Sequence, residues 1–515
     1  MAARKRATKV EPKRSARKAA KARAKTRAEA AAPKAKRKSA AKPAKGAGGT
    51  SPAAGNGGGT VGGALGIRVR MYRVGFGDFF LLTVPGNDGP AHILIDCGVH
   101  AANIGSIDEC IQDLKKATNN RLALVILTHY HADHMSGFAS NYDDFASFAH
   151  VGAVWITNRL DPDNPGEAKF MMQLTSVAQR LQLGLGARND PEGVQAQRKV
   201  FNALGIELGA AGGGGGNAKA LKLLQEGFKS KPPVHYYQGG DTPKLPPELE
   251  GRITAEILAP PPRDSGGEFA ASDNKKEQYL AAAGDDGIPN ADRVPSFEKE
   301  WPASAADYPP DAFDEFDSGL VERGGKRKKD GAAAMEATLA AMQPDVLAAA
   351  ADKLDGTLNN QSLVVLFTCK GKKLLFVGDA QWGNWSYWLY GKAVSGKDPG
   401  ITKEARDILG SIDFYKVGHH GSTNATPIPA VGALNAHCAA MVSTATGAYG
   451  NPKKKTEVPR TALMDALASK TGKRLIRSDW VQAGAEKPDP GAREDHAKLP
   501  EGFTSPGQLY IDFNL

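Results

Sequence analysis

Four side chains that commonly bind metal ions fall within six residues of one another, in the segment THYHADH (128–134). They are His129, His131, Asp133 and His134. The segment follows LALVILT (122–128), an apolar run typical of a buried strand. Because side chains alternate at a strand end, His129 and His131 point to the same side and can reach one ion. The chain then turns into a helix, which directs Asp133 and His134 toward a second ion, so the spacing predicts a two-metal site.

Two later loops carry further candidates. Asp379, at the end of KLLFVGD (373–379), is a candidate bridging ligand, because its two carboxylate oxygens could each bind one divalent ion. Capping of the following helix is the alternative role. GHHGS (418–422) offers His419 and His420, one to bind metal and the other to hydrogen-bond the substrate or a ligand. The residues leave open which histidine does which.

These residues predict a hydrolase. Two divalent ions, zinc or alternatively manganese, would lower the pKa of a bridging water toward about 7 and so hold a hydroxide as the nucleophile. Asp133 would orient that hydroxide or carry its proton. His419 or His420 would stabilise the developing anion or protonate the leaving group.

The candidates all follow apolar runs, so strands must position them. Asp96, which ends the run in ILIDCG (93–98), is expected to orient a ligand or the first loop, with a plain turn residue as the alternative. Short strands alternate with helices in both halves of the chain, which favours a layered α/β sandwich over a barrel. Predicted strands lie at 66–74, 78–84, 91–96, 122–128, 151–157, 234–240, 252–258, 362–368, 373–379, 412–417, 438–444, 473–477 and 508–513. The first three are expected to be antiparallel.

Composition divides the 515 residues into unlike parts. Residues 1–45 hold 18 of the 66 Lys and Arg but only 2 of the 56 Asp and Glu, a net charge of +16, whereas the remainder carries −6. With almost no apolar residues, 1–45 is expected to be a disordered arm, joined by a Gly-rich linker (46–65). Residues 261–355 are expected to form an acidic, partly disordered insertion.

The arm favours a polyanionic partner, because its charges release counterions when they meet nucleic acid. A solubilising tail without a specific partner is the alternative. The residues expected to contact nucleic acid are Lys5, Arg6, Lys13, Arg14, Arg17, Lys18, Lys36, Arg37 and Lys38.

The four cysteines form no CxxC pair, which excludes a zinc ribbon and a disulfide framework and favours a reducing compartment. The sequence shows neither a long apolar span nor the apolar core of a secretory signal. We therefore expect a cytoplasmic protein, and the arm would allow association with the nucleoid. Oligomeric state is left open.

The motifs THYHADH, LIDCG, LLFVGDA and KVGHHGS together resemble those of the metallo-β-lactamase superfamily. The resemblance implies a four-layer αββα sandwich with a binuclear metal site at one edge. VGFGD (74–78), NQSLV (360–364) and KVGHHGS (416–422) are similar to the hydrolase domain of bacterial DNA-uptake channel proteins. The similarity covers about 66–260 and 357–480, and implies a hydrolase domain over 66–515.

By this resemblance His129 and His131 bind the first ion, Asp133 and His134 the second, Asp379 bridges them, and His419 or His420 completes the second. Two departures stand out. The superfamily usually supplies a third histidine to the first ion, but RITAEILAPP has Ala259-Pro260 at that place, and neither His150 nor His235 lies in a ligand loop. The glycine-histidine-proline turn of the DNA-uptake group is Gly450-Asn451-Pro452 here.

The preferred substrate is a phosphodiester, because the arm would concentrate a polyanion near the site. One alternative is a hydrolase of an uncharged ester, lactone or thioester, since the same ions polarise a carbonyl group. Another is a nucleic-acid-binding protein that acts through the arm and has lost turnover with its incomplete first metal site.

Overall fold

The structure is a computed structural model that describes residues 66–186, 188–205, 216–262, 344–391, 400–480, 499–505 and 508–515. The predicted arm with its nucleic-acid contacts, the linker, and residues 263–343 of the predicted insertion lie outside the described residues. None of the described helices is both long and apolar enough to cross a membrane.

The described strands form two mixed sheets. Along the chain they are β1 (Arg68–Tyr72), β2 (Phe79–Gly86), β3 (Gly89–Cys97), β4 (Arg121–Leu127), β5 (His150–Thr157), β6 (Val234–Tyr237), β7 (Ile253–Ala259), β8 (Val364–Cys369), β9 (Lys372–Phe376), β10 (Phe414–Lys416), β11 (Ala439–Val442), β12 (Leu475–Arg477), β13 (Phe503–Thr504) and β14 (Tyr510–Asn514). The first sheet has the order β13-β14-β1-β2-β3-β4-β5-β6 and the second has β12-β11-β10-β9-β8-β7. Strands β1, β2 and β3 pair antiparallel, as predicted.

The described α-helices include some that cover the outer faces of the sheets and some that pack on one another. They are α1 (Ile107–Ala117), α2 (Ala132–Ser140), α3 (Tyr142–Ala146), α4 (Pro165–Leu185), α5 (Pro191–Leu204), α6 (Gly216–Lys222), α7 (Pro344–Asn359), α8 (Trp382–Leu389), α9 (Lys403–Leu409), α10 (Ile428–Ala433) and α11 (Thr461–Lys470). The first sheet packs on α1, α2 and α3, and the second on α8 to α11. The four-layer αββα sandwich expected from the sequence is therefore the architecture observed.

The central core lies between the two sheets. Aromatic side chains from the two inner faces meet there: Phe80 lies edge-on to Phe376 at 6.2 Å between ring centroids, and Trp155 stacks on Phe367 at 6.4 Å. The inner strands are apolar on both faces because one face meets the opposite sheet and the other meets helices. This explains why β4 appears in the sequence as an unbroken apolar run.

A further helical cluster forms where α7 packs against α4 and α5. Leu347, Ala351, Leu354 and Leu358 recur at helical spacing and are all buried in this contact. The sequence predicted an acidic, partly disordered insertion that ends at 355. The described helix instead runs to Asn359, because its apolar stripe continues past that boundary, and its last turn reaches the candidate site.

Four strand ends converge on the same edge of the sandwich. Strands β3 and β4 are parallel neighbours in one sheet, and β9 and β10 are parallel neighbours in the other. Their carboxyl ends lead directly into Asp96, THYHADH (128–134), Asp379 and GHHGS (418–422). The topology thus brings together every loop that the sequence singled out.

Candidate metal centre

The first loop leaves β4 and enters α2 with two neighbouring histidine rings that meet edge-on. His129 Nε2 lies 3.0 Å from His131 Nδ1, and both side chains are buried. His131 has an extended backbone and caps α2, so Asp133 and His134 lie in the first helical turn. This is the change of direction that the spacing predicted.

Asp133, His134, Asp379 and His420 form a buried cluster in which one ligand atom from each lies within 4.8 Å of the others. Asp379 Oδ2 is 3.2 Å from His134 Nε2 and 3.3 Å from His420 Nε2. His420 Nε2 is also 3.1 Å from Asp133 Oδ2. The other oxygen, Asp133 Oδ1, is buried with no hydrogen-bond partner among the described residues. Two imidazoles, two carboxylates and an unpartnered oxygen fit a divalent cation.

Hydrogen-bond partners behind the rings fix the orientation of three imidazoles. Each of these rings has Nδ1 near an oxygen: His134 near Asp96 Oδ2 at 2.7 Å, His420 near the Ser443 carbonyl at 2.8 Å, and His129 near Thr128 Oγ1 at 3.1 Å. When Nδ1 donates to these oxygens, Nε2 of each ring is left as a lone-pair donor toward the cluster. The tautomers that suit metal binding are therefore the ones that the surroundings favour.

Asp96 anchors the first loop as well as His134. Its carboxylate accepts hydrogen bonds from the Thr128 backbone N–H at 2.8 Å and from Thr128 Oγ1 at 2.7 Å. Asp78, Asp96 and His134 also approach within 4.8 Å of one another. They do not form a separate metal site, because His134 Nδ1 is engaged by Asp96 and Asp78 is paired with Lys416.

Lys416 is a buried cation that sequence reasoning missed. Its ammonium group contacts the Asp78 carboxylate and the Gly378 carbonyl oxygen (2.8 Å), and lies 3.4 Å from Asp379 Oδ1. Asp78 and Lys416 both lie in the quoted motifs VGFGD and KVGHHGS. The available signal was a lysine inside an otherwise apolar run, which a buried strand tolerates only when a carboxylate neutralises it.

The two carboxylate oxygens of Asp379 make different contacts. Oδ1 accepts the His419 backbone N–H at 2.9 Å and faces Lys416, whereas Oδ2 faces the imidazoles of His134 and His420. The predicted bridge through both oxygens does not fit, because Oδ1 is already engaged. Oδ2 is the oxygen that faces the candidate ligands. Asp379 is not a helix cap either, since Gln381 occupies the N-cap of α8.

The structure places the rings of His419 and His420 differently. His420 enters the cluster, whereas the His419 ring lies beside it, with Nδ1 2.6 Å from Ser422 Oγ and Nε2 3.2 Å from Asn359 Nδ2. Both histidines have positive φ, 41° and 50°, a conformation that costs non-glycine residues energy. This left-handed turn points the two neighbouring rings in different directions.

The buried carboxylates of the cluster require positive charge beside them. Burial would lower the pKa of His420, but Asp379 and Asp133 raise it to about 10. Burial would likewise raise the pKa of Asp133 and Asp379, yet the neighbouring imidazoles hold both below the usual value. Burial lowers the pKa of His129 well below its usual value, so that ring is neutral and able to bind metal. Without metal, bound protons supply the positive charge that the carboxylates require.

Three positions were considered as sources of a further histidine ligand near His129 and His131, and all three lie in the described part of the chain. Ala259 is buried at the end of β7 and has no ligand atom, and His150 is paired with Glu248. His235 lies on β6 with its ring stacked beside that of Tyr237. None of the three therefore supplies a ligand beside His129 and His131.

Tyr449 and Asp355 border the site and were not foreseen. The Tyr449 hydroxyl is buried without a hydrogen-bond partner in the described structure, and its ring packs on Phe76, which packs on His420 at 4.1 Å. Burial, with Asp133 and Asp355 nearby, raises the pKa of Tyr449 well above its usual value, so the phenol stays protonated. The only sequence signal for Tyr449 was its place before the Gly450-Asn451-Pro452 turn. Asp355 gave none.

Comparison with known families matches residues 73–140 to the model of the metallo-beta-lactamase superfamily. That segment runs from the end of β1 through α2 and contains Asp96 and THYHADH. The match and the αββα fold support the metallo-beta-lactamase superfamily. No curated protein matches the chain. With the buried cluster of possible ligands, the superfamily match indicates a metal-dependent hydrolase that binds divalent metal.

Proposed function

We propose that the chain is a two-metal hydrolase that cleaves a phosphodiester, in a nucleic acid or a nucleotide-like molecule. The observation that carries the metal-dependent part is the buried cluster of Asp133, His134, Asp379 and His420, whose ligand atoms all lie within 4.8 Å of one another. Two features of the sequence support the phosphodiester: the +16 arm and the similarity to the DNA-uptake group. The same arm and four buried, unpaired cysteines support a cytoplasmic, nucleoid-associated enzyme.

His129 and His131 would hold the first ion, Asp133, His134 and His420 the second, and Asp379 Oδ2 would be shared. Nitrogen-rich ligands favour zinc, with manganese as the alternative. When bound, the ions would lower the pKa of a water toward about 7 and neutralise charge on the substrate oxygen.

The chain itself supplies proton transfer and hydrogen bonds. Asp133 Oδ1, which is buried without a hydrogen-bond partner among the described residues, would accept a proton from the attacking water. Burial lowers the pKa of His419, so this ring is neutral near pH 7 and would not protonate the leaving group. The Tyr449 hydroxyl would donate a hydrogen bond to the developing anion, because its raised pKa keeps it protonated.

An uncharged ester, lactone or thioester is the second candidate substrate. The net charge of −6 on residues 46–515 favours it, because an acidic body repels polyanions and does not repel a neutral acyl compound. The third candidate, a nucleic-acid binder without turnover, is favoured only by the missing histidine at Ala259.

A substrate panel tests the proposed function. The zinc- or manganese-loaded full chain is incubated with bis(p-nitrophenyl) phosphate, with single-stranded DNA and with a lactone, each with and without chelator. We expect chelator-sensitive cleavage of both diesters, faster than that of the lactone. His129→Ala should abolish this cleavage, and the matched control His437→Ala, at an exposed histidine, should retain it. Cleavage of the lactone alone would contradict the substrate class, and no cleavage of any compound would contradict the enzymatic proposal.

A further inference from the structure

The His131 ring has one edge toward the cluster and one edge away from it. Nδ1 lies 3.0 Å from His129 Nε2, on the side where the first ion would be held. Nε2, on the opposite edge, is buried without a hydrogen-bond partner among the described residues. Asp355 Oδ1 faces this atom at 3.9 Å, and both side chains are almost fully buried.

The other three imidazoles of the candidate metal centre show the same kind of support. His129, His134 and His420 each have an oxygen against the ring nitrogen that points away from the cluster. His131 presents the opposite nitrogen to the site, so its outward atom is Nε2, and Asp355 is the acceptor that faces it.

Asp355 is held rigidly enough to play this part. It lies on α7 between Leu354 and Leu358, which are buried against α4 and α5. Its second oxygen accepts a hydrogen bond from Asn359 Nδ2 at 3.2 Å, one turn further along the helix. A carboxylate fixed in this way needs a movement of only about 1 Å to reach hydrogen-bond distance from His131.

We propose that Asp355 is a positioning residue for the first metal ion, an inference that rests on the proposed function. It accepts the Nε2–H hydrogen bond of His131, selects the tautomer whose Nδ1 carries the lone pair, and fixes the orientation of the ring. Asp355 is not a ligand of the same ion, because the two nitrogens of one imidazole point away from each other. This support strengthens a first-ion site that has no histidine at Ala259.

The test compares Asp355→Ala and Asp355→Asn with Asp352→Asn, a control on the same helix. Asp352 is exposed and paired with Lys199. Zinc content and affinity are measured by competition with a chromophoric chelator, and the His131 ring by ¹⁵N–¹H NMR. We expect Asp355→Ala to lower the affinity for the first ion about 10–100-fold and to leave the affinity for the second ion unchanged. The His131 ring should then populate both tautomers. Asp355→Asn keeps an oxygen acceptor in a side chain of the same shape, so it should preserve the His131 tautomer. It should still lower the affinity for the first ion, because the negative charge is lost.

Unchanged first-ion affinity and an unchanged His131 spectrum in Asp355→Ala would overturn the proposal, and so would an equal loss of both ions. If Asp355→Ala fails to fold, the isosteric variant Asp355→Asn serves as the test. An unchanged affinity of that variant for the first ion would then overturn the proposal. If the wild-type chain binds two ions and hydrolyses nothing, the proposed function fails but the role of Asp355 stands. If it hydrolyses the diester and the Asp355 variants bind both ions normally, only the present proposal fails.

Discussion

Asp379→Asn is expected to reduce the divalent ions bound to the chain from two to fewer than one. Asp379 Oδ2 lies 3.2 Å from His134 Nε2 and 3.3 Å from His420 Nε2, where it would be shared between the ions. The amide removes the negative charge at the point where two cations would meet. We expect diester hydrolysis to fall by about 10³-fold or more, beyond the 10–100-fold typical of losing an outer partner. Metal content and kcat/KM on a small diester measure both effects.

The matched control for this loss of charge is Asp407→Asn. Asp407 lies on the surface, where it pairs with Lys403, so its replacement should leave metal content and activity unchanged. Circular dichroism establishes that both variants are folded. A folded Asp379→Asn protein that still binds two ions and hydrolyses the diester at the wild-type rate would contradict the assignment of Asp379.

Deletion of residues 1–45 is expected to abolish tight, salt-sensitive binding of nucleic acid and to leave turnover of a small diester intact. The segment carries a net charge of +16, and contact with six to ten phosphates makes affinity fall about 10³–10⁵-fold between 50 and 200 mM salt. The full chain should show this steep dependence, and the truncated chain only a shallow one. Salt titrations of fluorescent single-stranded DNA measure it.

A full-length chain whose arm carries Gln in place of every Lys and Arg separates the charge of the arm from its length. This variant should behave like the truncated chain. If truncation abolished turnover of the small diester, the arm would be part of the active site. That result would contradict the expectation that the arm binds nucleic acid and the metal site carries out hydrolysis. If the truncated chain bound DNA as tightly as the full chain, the arm would not be the binding element.

Features encoded in short stretches were predictable from the sequence. The αββα layers were expected from apolar runs alternating with helices and from the family resemblance, and they are observed. The convergence of Asp133, His134 and Asp379 follows from their shared position after parallel strands, because such strands end at one edge of the sandwich.

Features set by contacts between distant segments were not predictable. The choice of His420 over His419 depends on a left-handed turn, and the single available oxygen of Asp379 depends on Lys416 and the His419 backbone. Asp355 reaches His131 only because α7 packs on α4 and α5. No local pattern encodes that contact.

The most direct test of the central claim is anomalous diffraction from crystals of the metal-loaded full chain, collected at the absorption edge of the bound metal. Two peaks about 3.5–4 Å apart should lie on either side of Asp379 Oδ2. One should adjoin His129 and His131, and the other should adjoin Asp133, His134 and His420. No peak at this cluster, or metal bound only elsewhere on the chain, would contradict the account.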